Sequence, residues 1–592
     1  MESRAFFKSW GAEYVAADTV RFRVWATGQQ KVTLRLSGND IEMRRDDKGW
    51  FEAEASGVVS GAEYNYVLAD GKVLPDPASR GQKGDVNGPS LVVDPTAYRW
   101  QTSAWQGRPW EHTIVYEMHI GTFTPEGTFR AAAEKLPLLA ELGITMLEIL
   151  PVSQFGGDRG WGYDGVLLYA PHSAYGSPDD FKAFIDAAHQ HGLSVVLDIV
   201  LNHFGPEGNY LPLLSPDFFH KERMTPWGAG IAYDVDAARR YIVEAPLYWL
   251  KEYHLDGLRF DAIDQIDDMS DRHALIEIAE RIRAEIADRP IHLTTEDSRN
   301  VIFLHPRNED GSVPLFTGEW NDDLHNAVHV FTTGETQAYY RDFAEEPEKL
   351  IARILTEGFA YQGEVSPQTG KKRGVKSTSQ PPVAFVDFIQ NHDQVGNRAQ
   401  GERLIELAGS DRTRIMLATL LLSPHIPLLF MGEEYGETRP FLFFTDFHGD
   451  LAEAVRKGRA NEFEGHDGED VPDPNARSTF EASKLNWQAQ HTEDGKAWLA
   501  FTRKLLALRQ QHIVPLLATA GGNSGKVLKT TAGFVAVSWT FPRGTLSVAL
   551  NIGETPQPLP DLPGETIFAW PDAQNLLQKN TIIVRLDTGE EK

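Results

Sequence analysis

Two rhythms of apolar and polar positions run along this chain. Near the N-terminus, Val20–Trp25, Lys31–Leu36 and Tyr64–Leu68 alternate with period two, the mark of strands with one face buried. Short strands separated by turn residues predict a small immunoglobulin-like sandwich, and Pro75, Pro77, Pro89 and Pro95 punctuate the way out of it. From about residue 110 the rhythm changes to short apolar runs, most followed by a helix-like segment. The runs are Ile114–Met118, Thr145–Leu150, Ser194–Ile199, Gly257–Asp261, Ile291–Glu296, Leu315–Trp320, Val383–Gln390 and Pro427–Met431. Amphipathic spacing predicts helices over Thr128–Leu142 and Phe181–His191, the second ended by Gly192 where a left-handed backbone is favoured. Lys496–Gln510 reads as the last helix of this series. Period-two alternation then returns in Gly533–Trp539, Thr545–Asn551 and Thr581–Arg585.

Eight strand candidates alternating with helices predict an α/β protein built on a (β/α)₈ TIM barrel with insertions. The expected division is an N-terminal β-sandwich over residues 1–98, a catalytic barrel over 99–515 and a C-terminal β-sandwich over 516–592. A doubly wound open sheet is the alternative. No phosphate-cradling loop, and no Gly-x-Gly-x-x-Gly directly after a strand, supports it.

Composition narrows the partners. The net charge is −27 and the acidic residues are spread along the chain, a surface that repels nucleic acid and anionic lipid and leaves a neutral substrate as the better fit. No apolar run reaches the roughly 18 residues that a membrane span needs. Met1–Lys8 lacks a basic start followed by an apolar stretch, so no signal peptide is expected. The absence of cysteine excludes disulfides and suits the cytoplasm.

The polar residues inside the strand candidates carry the chemistry. In Asp256–Asp261, alternation puts Gly257, Arg259 and Asp261 on one face and Leu258 and Phe260 on the other. An Arg–Asp pair closing a strand would account for this fragment alone. The third strand, however, carries Asp198 and runs on to Asn202 and His203, the fifth ends in Glu296 and Asp297, and the seventh in Asn391, His392 and Asp393. All lie at C-terminal strand ends, the face on which barrels assemble active sites.

Three carboxylates without a metal motif are what cleavage of a glycosidic bond requires. One attacks the anomeric carbon, a protonated one hands its proton to the departing oxygen, and a third stabilises developing positive charge. Arg259 is expected to lower the pKa of Asp261, and the charges of Asp261 and Asp393 to raise that of Glu296. No metal and no cofactor are expected. There is no His-Glu-x-x-His, and His189 and His191 do not share a helix face. The acidic loop Gly465–Asp470 lacks EF-hand spacing and reads as solvated. No Gly-x-Ser-x-Gly nucleophile elbow occurs either.

Asp198-Ile-Val-Leu-Asn-His203, Gly257-Leu-Arg-Phe-Asp261, Glu296 and Asn391-His-Asp393 resemble, in order, the four short motifs of the α-amylase superfamily of glycoside hydrolases. The resemblance implies Asp261 as nucleophile, Glu296 as general acid/base and Asp393 as transition-state stabiliser. It also implies sugar contacts from Arg259, His203 and His392, and stacking of the sugar on Tyr163. Within the superfamily the chain looks most like the maltooligosyltrehalose trehalohydrolases. The likeness is carried by Tyr116–Phe129, Gly160–Val166, Asn202–Tyr210, Thr225–Gly228, Glu319–His325 and Phe388–Arg398.

That likeness implies retaining hydrolysis of the α-1,4 bond next to the terminal trehalose of maltooligosyltrehalose, with maltooligosyltrehalose synthase as functional partner. Asp264 stands where this family usually has His and is expected on the leaving-group side. Trp320, Asn321 and Asp322 are expected in the acceptor pocket, with Gln394 and Asn397 beside Asp393. The alternatives are a glycogen branching or debranching enzyme, an α-amylase, or a glucan-binding protein with a degenerate barrel. The presence of all three carboxylates argues against the last.

Overall fold

The computed structural model describes residues 5–463, 471–572 and 575–589. The loop Gly465–Asp470 lies outside the described residues. The alternating N-terminal segments form two antiparallel sheets, one led by Thr19–Trp25 and Trp50–Ser56, the other by Val32–Leu36 and Glu63–Leu68. Their inward residues meet: Val20, Phe22, Val24, Val32, Leu34 and Tyr66 are fully buried, and the rings of Phe22 and Tyr64 touch edge to face at 5.0 Å.

The apolar runs that follow close into an eight-stranded barrel. Its strands are β1 Val115–Met118, β2 Met146–Ile149, β3 Ser194–Ile199, β4 Gly257–Phe260, β5 His292–Thr295, β6 Gly318–Trp320, β7 Phe385–Asp387 and β8 Ile426–Phe430. Every neighbouring pair is parallel, and β1 pairs with β8 to complete the ring. Inward residues of six strands, Val115, Met146, Val196, Trp320, Val386, Ile426 and Leu428, fill the interior as one apolar cluster. Towards the C-terminal ends the same alternation places Glu117, Glu148, Asp198 and Arg259, so the filling turns from apolar to charged as it approaches the mouth. Gly257 opens β4 because nothing larger fits: a Cβ there would lie 2.0 Å from the carbonyl oxygen of His292 on β5.

The helices depart from expectation in more than one place. Thr128–Leu142 is not continuous but two helices, Phe129–Ala133 and Leu136–Leu142. Pro137 has no N–H to continue the ladder, so the chain turns at Lys135 and restarts with the proline in the first turn. The helix ended by Gly192 starts earlier, at Pro178, where Ser177 and Asp180 form a capping box. The connection from β5 to β6 contains no helix. Two antiparallel ribbons, Ser153–Gln154 with Leu167–Pro171 and Phe219–Thr225 with Gly228–Ile231, are inserted after β2 and β3.

At the C-terminal end, a five-stranded antiparallel sheet and a two-stranded ribbon enclose Phe534, Ala536, Ala549, Leu562, Leu577 and Ile583. The sheet is tied to the barrel by the Trp539 indole, which donates to the carbonyl of Leu355 at 2.8 Å. Among the described residues, no helix is long and apolar enough to cross a membrane.

Candidate active site

Arg259, fully buried on β4, organises the mouth of the barrel. Its Nη1 donates to Asp198 Oδ2 at 2.7 Å and to Asp261 Oδ1 at 2.9 Å, and its Nη2 donates to Glu296 Oε2 at 2.9 Å. One guanidinium therefore holds Asp261 and Glu296 side by side, and Asp198 beneath them. The register Asp198↔Arg259 on β3 and β4 brings the first pair together, and Trp320 lies under the guanidinium at 4.2 Å.

The backbone serves the same geometry. Ala262, immediately after Asp261, takes a left-handed conformation (φ 40°, ψ 52°), a rare one for a residue with a Cβ that costs about 1 kcal/mol or more. In that conformation its N–H reaches Glu296 Oε2 at 2.9 Å. Asn202 Nδ2 donates to Asp261 Oδ2 at 3.2 Å and to the Asp261 carbonyl at 3.0 Å, fixing the carboxylate from the β3 side.

The carboxyl groups titrate in a useful order. About 13 % of the Asp261 side chain and 21 % of the Glu296 side chain remain accessible, yet both are largely shielded from bulk water. That desolvation pushes Asp261 up to about 6, with Asp198 and Asp393 adding and Arg259 opposing. The expected net lowering by Arg259 is thus outweighed by burial. Glu296 is pushed up to about 8, by desolvation first and then by Asp261 and Asp393 against the pull of Arg259. At neutral pH the first is a carboxylate and the second still carries its proton, the pairing that acid-assisted displacement at a sugar carbon needs.

Asp393 is the second residue of the short helix His392–Gly396 and keeps 40 % of its side chain accessible, with Oδ1 3.5 Å from His392 Nε2. Tyr163 donates its hydroxyl to Asp198 Oδ2 at 2.5 Å, and its ring stacks on His392 with centroids 5.2 Å apart. His203 is hydrogen-bonded through Nε2 to the Tyr163 carbonyl at 2.9 Å and stacks on Trp227 at 4.3 Å, so it holds the Tyr163 loop. Asp264 lies on the rim after β4, where its Oδ2 accepts from Gln265 at 2.9 Å.

The loop carrying Tyr163 is also braced from the N-terminal side. Asp85 Oδ1 accepts the N–H of Gly157 at 3.0 Å, Asn87 accepts from the Tyr210 hydroxyl at 2.7 Å, and Val86 packs where a Cβ on Gly208 would stand.

The residues expected on the acceptor side divide into two groups. Asp322 is half-buried, accepts from Gln394 Nε2 at 3.0 Å, and is pushed up to about 7 by burial, Glu296 and Asp393. Gln394 also accepts the Asn391 N–H, as the second half of a capping box, and Asn397 is exposed with Nδ2 3.4 Å from Asp393 Oδ1. Trp320 and Asn321 are elsewhere. Trp320 belongs to the barrel filling, and Asn321 is buried with Nδ2 donating to Asp387 Oδ1 and to the Gly358 carbonyl. The reason is register: Trp320 is the last inward residue of β6, and Asn321 follows it into the wall between β6 and β7.

Sequence reasoning passed over Glu117, which accepts both the backbone N–H and Nδ1 of His392, and Glu148 beside it. The signal was a charged residue at an inward position of an otherwise apolar strand, the same signal that singled out Asp198.

A closed parallel barrel whose mouth presents a clamped carboxylate, a protonated glutamic acid and a third carboxylate defines a glycoside hydrolase of the α-amylase type. Comparison with known proteins agrees and narrows it. Residues 79–213 match the family described as "Alpha amylase, catalytic domain", and residues 522–581 match "Domain of unknown function (DUF3459)". A malto-oligosyltrehalose trehalohydrolase of Deinococcus radiodurans is 41 % identical over 89 % of this chain and 88 % of its own length. One from Rhizobium sp. (strain M-11) is 40 % identical over 93 % of this chain and 94 % of its own. A crystal structure described as a putative α-amylase from Salmonella typhimurium superposes with a TM-score of 0.98 at 75 % identity, covering 98 % of this chain and 100 % of that one. The chain belongs to the malto-oligosyltrehalose trehalohydrolase family.

Proposed function

We propose that this chain hydrolyses the α-1,4-glucosidic bond that joins a maltooligosaccharide to its terminal trehalose, releasing free trehalose with retention at the anomeric carbon. The observation that carries the reading is the Arg259 fork, which supports Asp261 and Glu296 next to each other at the barrel mouth. Asp261 Oδ2, left free by Arg259, attacks C1 of the glucose before the trehalose unit. As the C1–O4 bond breaks, Glu296 gives its proton to O4, and trehalose leaves. The resulting glucosyl ester on Asp261 is then opened by water, which loses its proton to Glu296 and restores both groups. Asp393 faces the positive charge that develops on the ring in each step.

Family membership supports trehalose as the leaving group, and Asp322 with Gln394 remain as polar groups for the acceptor side. In this reading residues 1–98 and 516–592 are accessory β domains around a catalytic unit at 99–515. A maltooligosyltrehalose synthase supplies the substrate, and the cysteine-free chain works in the cytoplasm.

The test is product analysis on maltotriosyltrehalose and, separately, on maltopentaose and amylose. Trehalose as the first product, with a kcat/KM well above that for maltopentaose, is the expected result. Equal shortening of both substrates, or transfer of a chain to a branch point, overturns it.

A further inference from the structure

Two buried glutamates below the candidate site are given no role in the steps written above. Glu117 on β1 and Glu148 on β2 are register partners on adjacent strands, and both are buried. Carboxylates so placed cannot both ionise without a cation to answer them. Their surroundings separate them. Glu117 grips His392 twice: Oε2 accepts the backbone N–H at 3.0 Å, and Oε1 accepts from Nδ1. Glu148 has a buried oxygen, Oε1, with no hydrogen-bond partner.

We propose that Glu117 is a positioning residue of this reaction, which orients the His392 ring and keeps a proton on both of its nitrogens, while Glu148 remains a neutral acid. The inference rests on the trehalohydrolase reading. The ring so held is boxed in: Tyr163 stacks on one face, the Trp161 ring stands perpendicular to it with centroids 5.5 Å apart, and Nε2 is 3.5 Å from Asp393 Oδ1. Nε2–H is then fixed as a donor towards Asp393 and the sugar beside it.

The charged groups around His392 come from every side. Glu117 and Asp393 favour the doubly protonated ring, and Asp198 on β3 lies beneath. Arg259 on β4 opposes it, Glu148 and His119 face it without charge, and Tyr163 is a phenol whose proton burial retains. His119 serves as an internal comparison. It is equally buried, is hydrogen-bonded to Thr122 and to the Gly160 carbonyl and touches no carboxylate, and burial pushes it down to about 3. For His392 the same burial is overcome, chiefly by Glu117, and the ring is raised to about 9.

The experiment compares the pH profile of kcat/KM for trehalose release, from pH 5 to 9, in the wild type, Glu117→Gln and Glu148→Gln. In the wild type the alkaline limb falls near 8, where Glu296 loses its proton. Glu117→Gln removes the charge but keeps an acceptor, so the ring gives up its second proton below the ordinary value. The limb then moves down by at least about one pH unit, and the loss at pH 8 reaches about tenfold or more. Glu148→Gln, which mimics a neutral acid, leaves the limb where it was. A rate lowered by the same factor at every pH in Glu117→Gln, or a limb moved as far by Glu148→Gln, overturns the proposal. Independently of activity and of the variant's folding, ¹⁵N-histidine NMR of the wild type at pH 8 should show His392 as imidazolium. Its signal is identified by its loss in His392→Gln, and a neutral ring overturns the proposal. A wild type that folds but releases no trehalose overturns the functional reading instead.

Discussion

Replacing Glu296 by Gln should make the protein more stable at alkaline pH while abolishing its activity. The carboxyl has an ordinary value of 4.5 and is raised to about 8 in the folded chain. Below pH 4.5 both folded and unfolded chains hold the proton, so stability is unaffected. Between 4.5 and 8 the unfolded chain ionises while the folded chain keeps its proton, and stability falls by about 1.4 kcal/mol per pH unit. Over that whole interval the loss has an upper bound of about 5 kcal/mol. Because Asp261 and Asp322 compete for the same protons and part of the side chain is accessible, about half of that is the working figure. Glutamine has no proton to lose and is free of this penalty. Thermal and urea melts of both proteins at pH 5, 7 and 9 give the answer. The curves should lie together at pH 5 and separate towards pH 9 with the variant higher, and its trehalose release should drop by a factor of at least about 10³. If wild type and variant lose stability in parallel as the pH rises, Glu296 is not held protonated, and the assignment of the acid fails with it.

Two further outcomes test the frame around the acid. Arg259→Lys keeps the charge but not the fork, so at least one of the three carboxylate contacts, and more readily two, is lost. At about 1.5–3 kcal/mol for each charge-assisted hydrogen bond, kcat/KM should fall by about 100-fold or more and the acid limb should move up, which steady-state kinetics across pH will show. Gly396→Ala places a Cβ 2.1 Å from the Trp161 ring, two residues before Tyr163. Overpacking there should cost about 1–3 kcal/mol and raise KM more than it lowers kcat, measured by melting and by kinetics on the same sample.

The barrel was legible because buried parallel strands read as apolar runs, and each of the eight runs named from sequence overlaps a barrel strand. The clustered carboxylates were legible for the same reason, since a charge inside an apolar run stands out. What escaped depends on orientation and distance. Glu117 stands out no less than Asp198, but its partner His392 is 275 residues away and nothing local links them. With only three residues, β6 is too short for alternation to show that Trp320 points inward, or that Asn321 is spent on Asp387. The proton affinity of Asp261 was misjudged because sequence displays the neighbouring arginine but not the water that folding strips away. The helix across Pro137 was drawn from periodicity, and the missing N–H decided otherwise.

The brace formed by Asp85, Val86 and Asn87 bears on how such a protein can be taken apart. These residues lie between the last two strands of the N-terminal sheets, Val73–Leu74 and Ser90–Leu91, and they act as a wedge under the two loops that carry Tyr163 and Tyr210. A barrel cut free of its leading module would keep every acid and base yet lose the footing of its sugar platform. Grafting a foreign module in its place would meet the same difficulty unless those three side chains travelled with the graft.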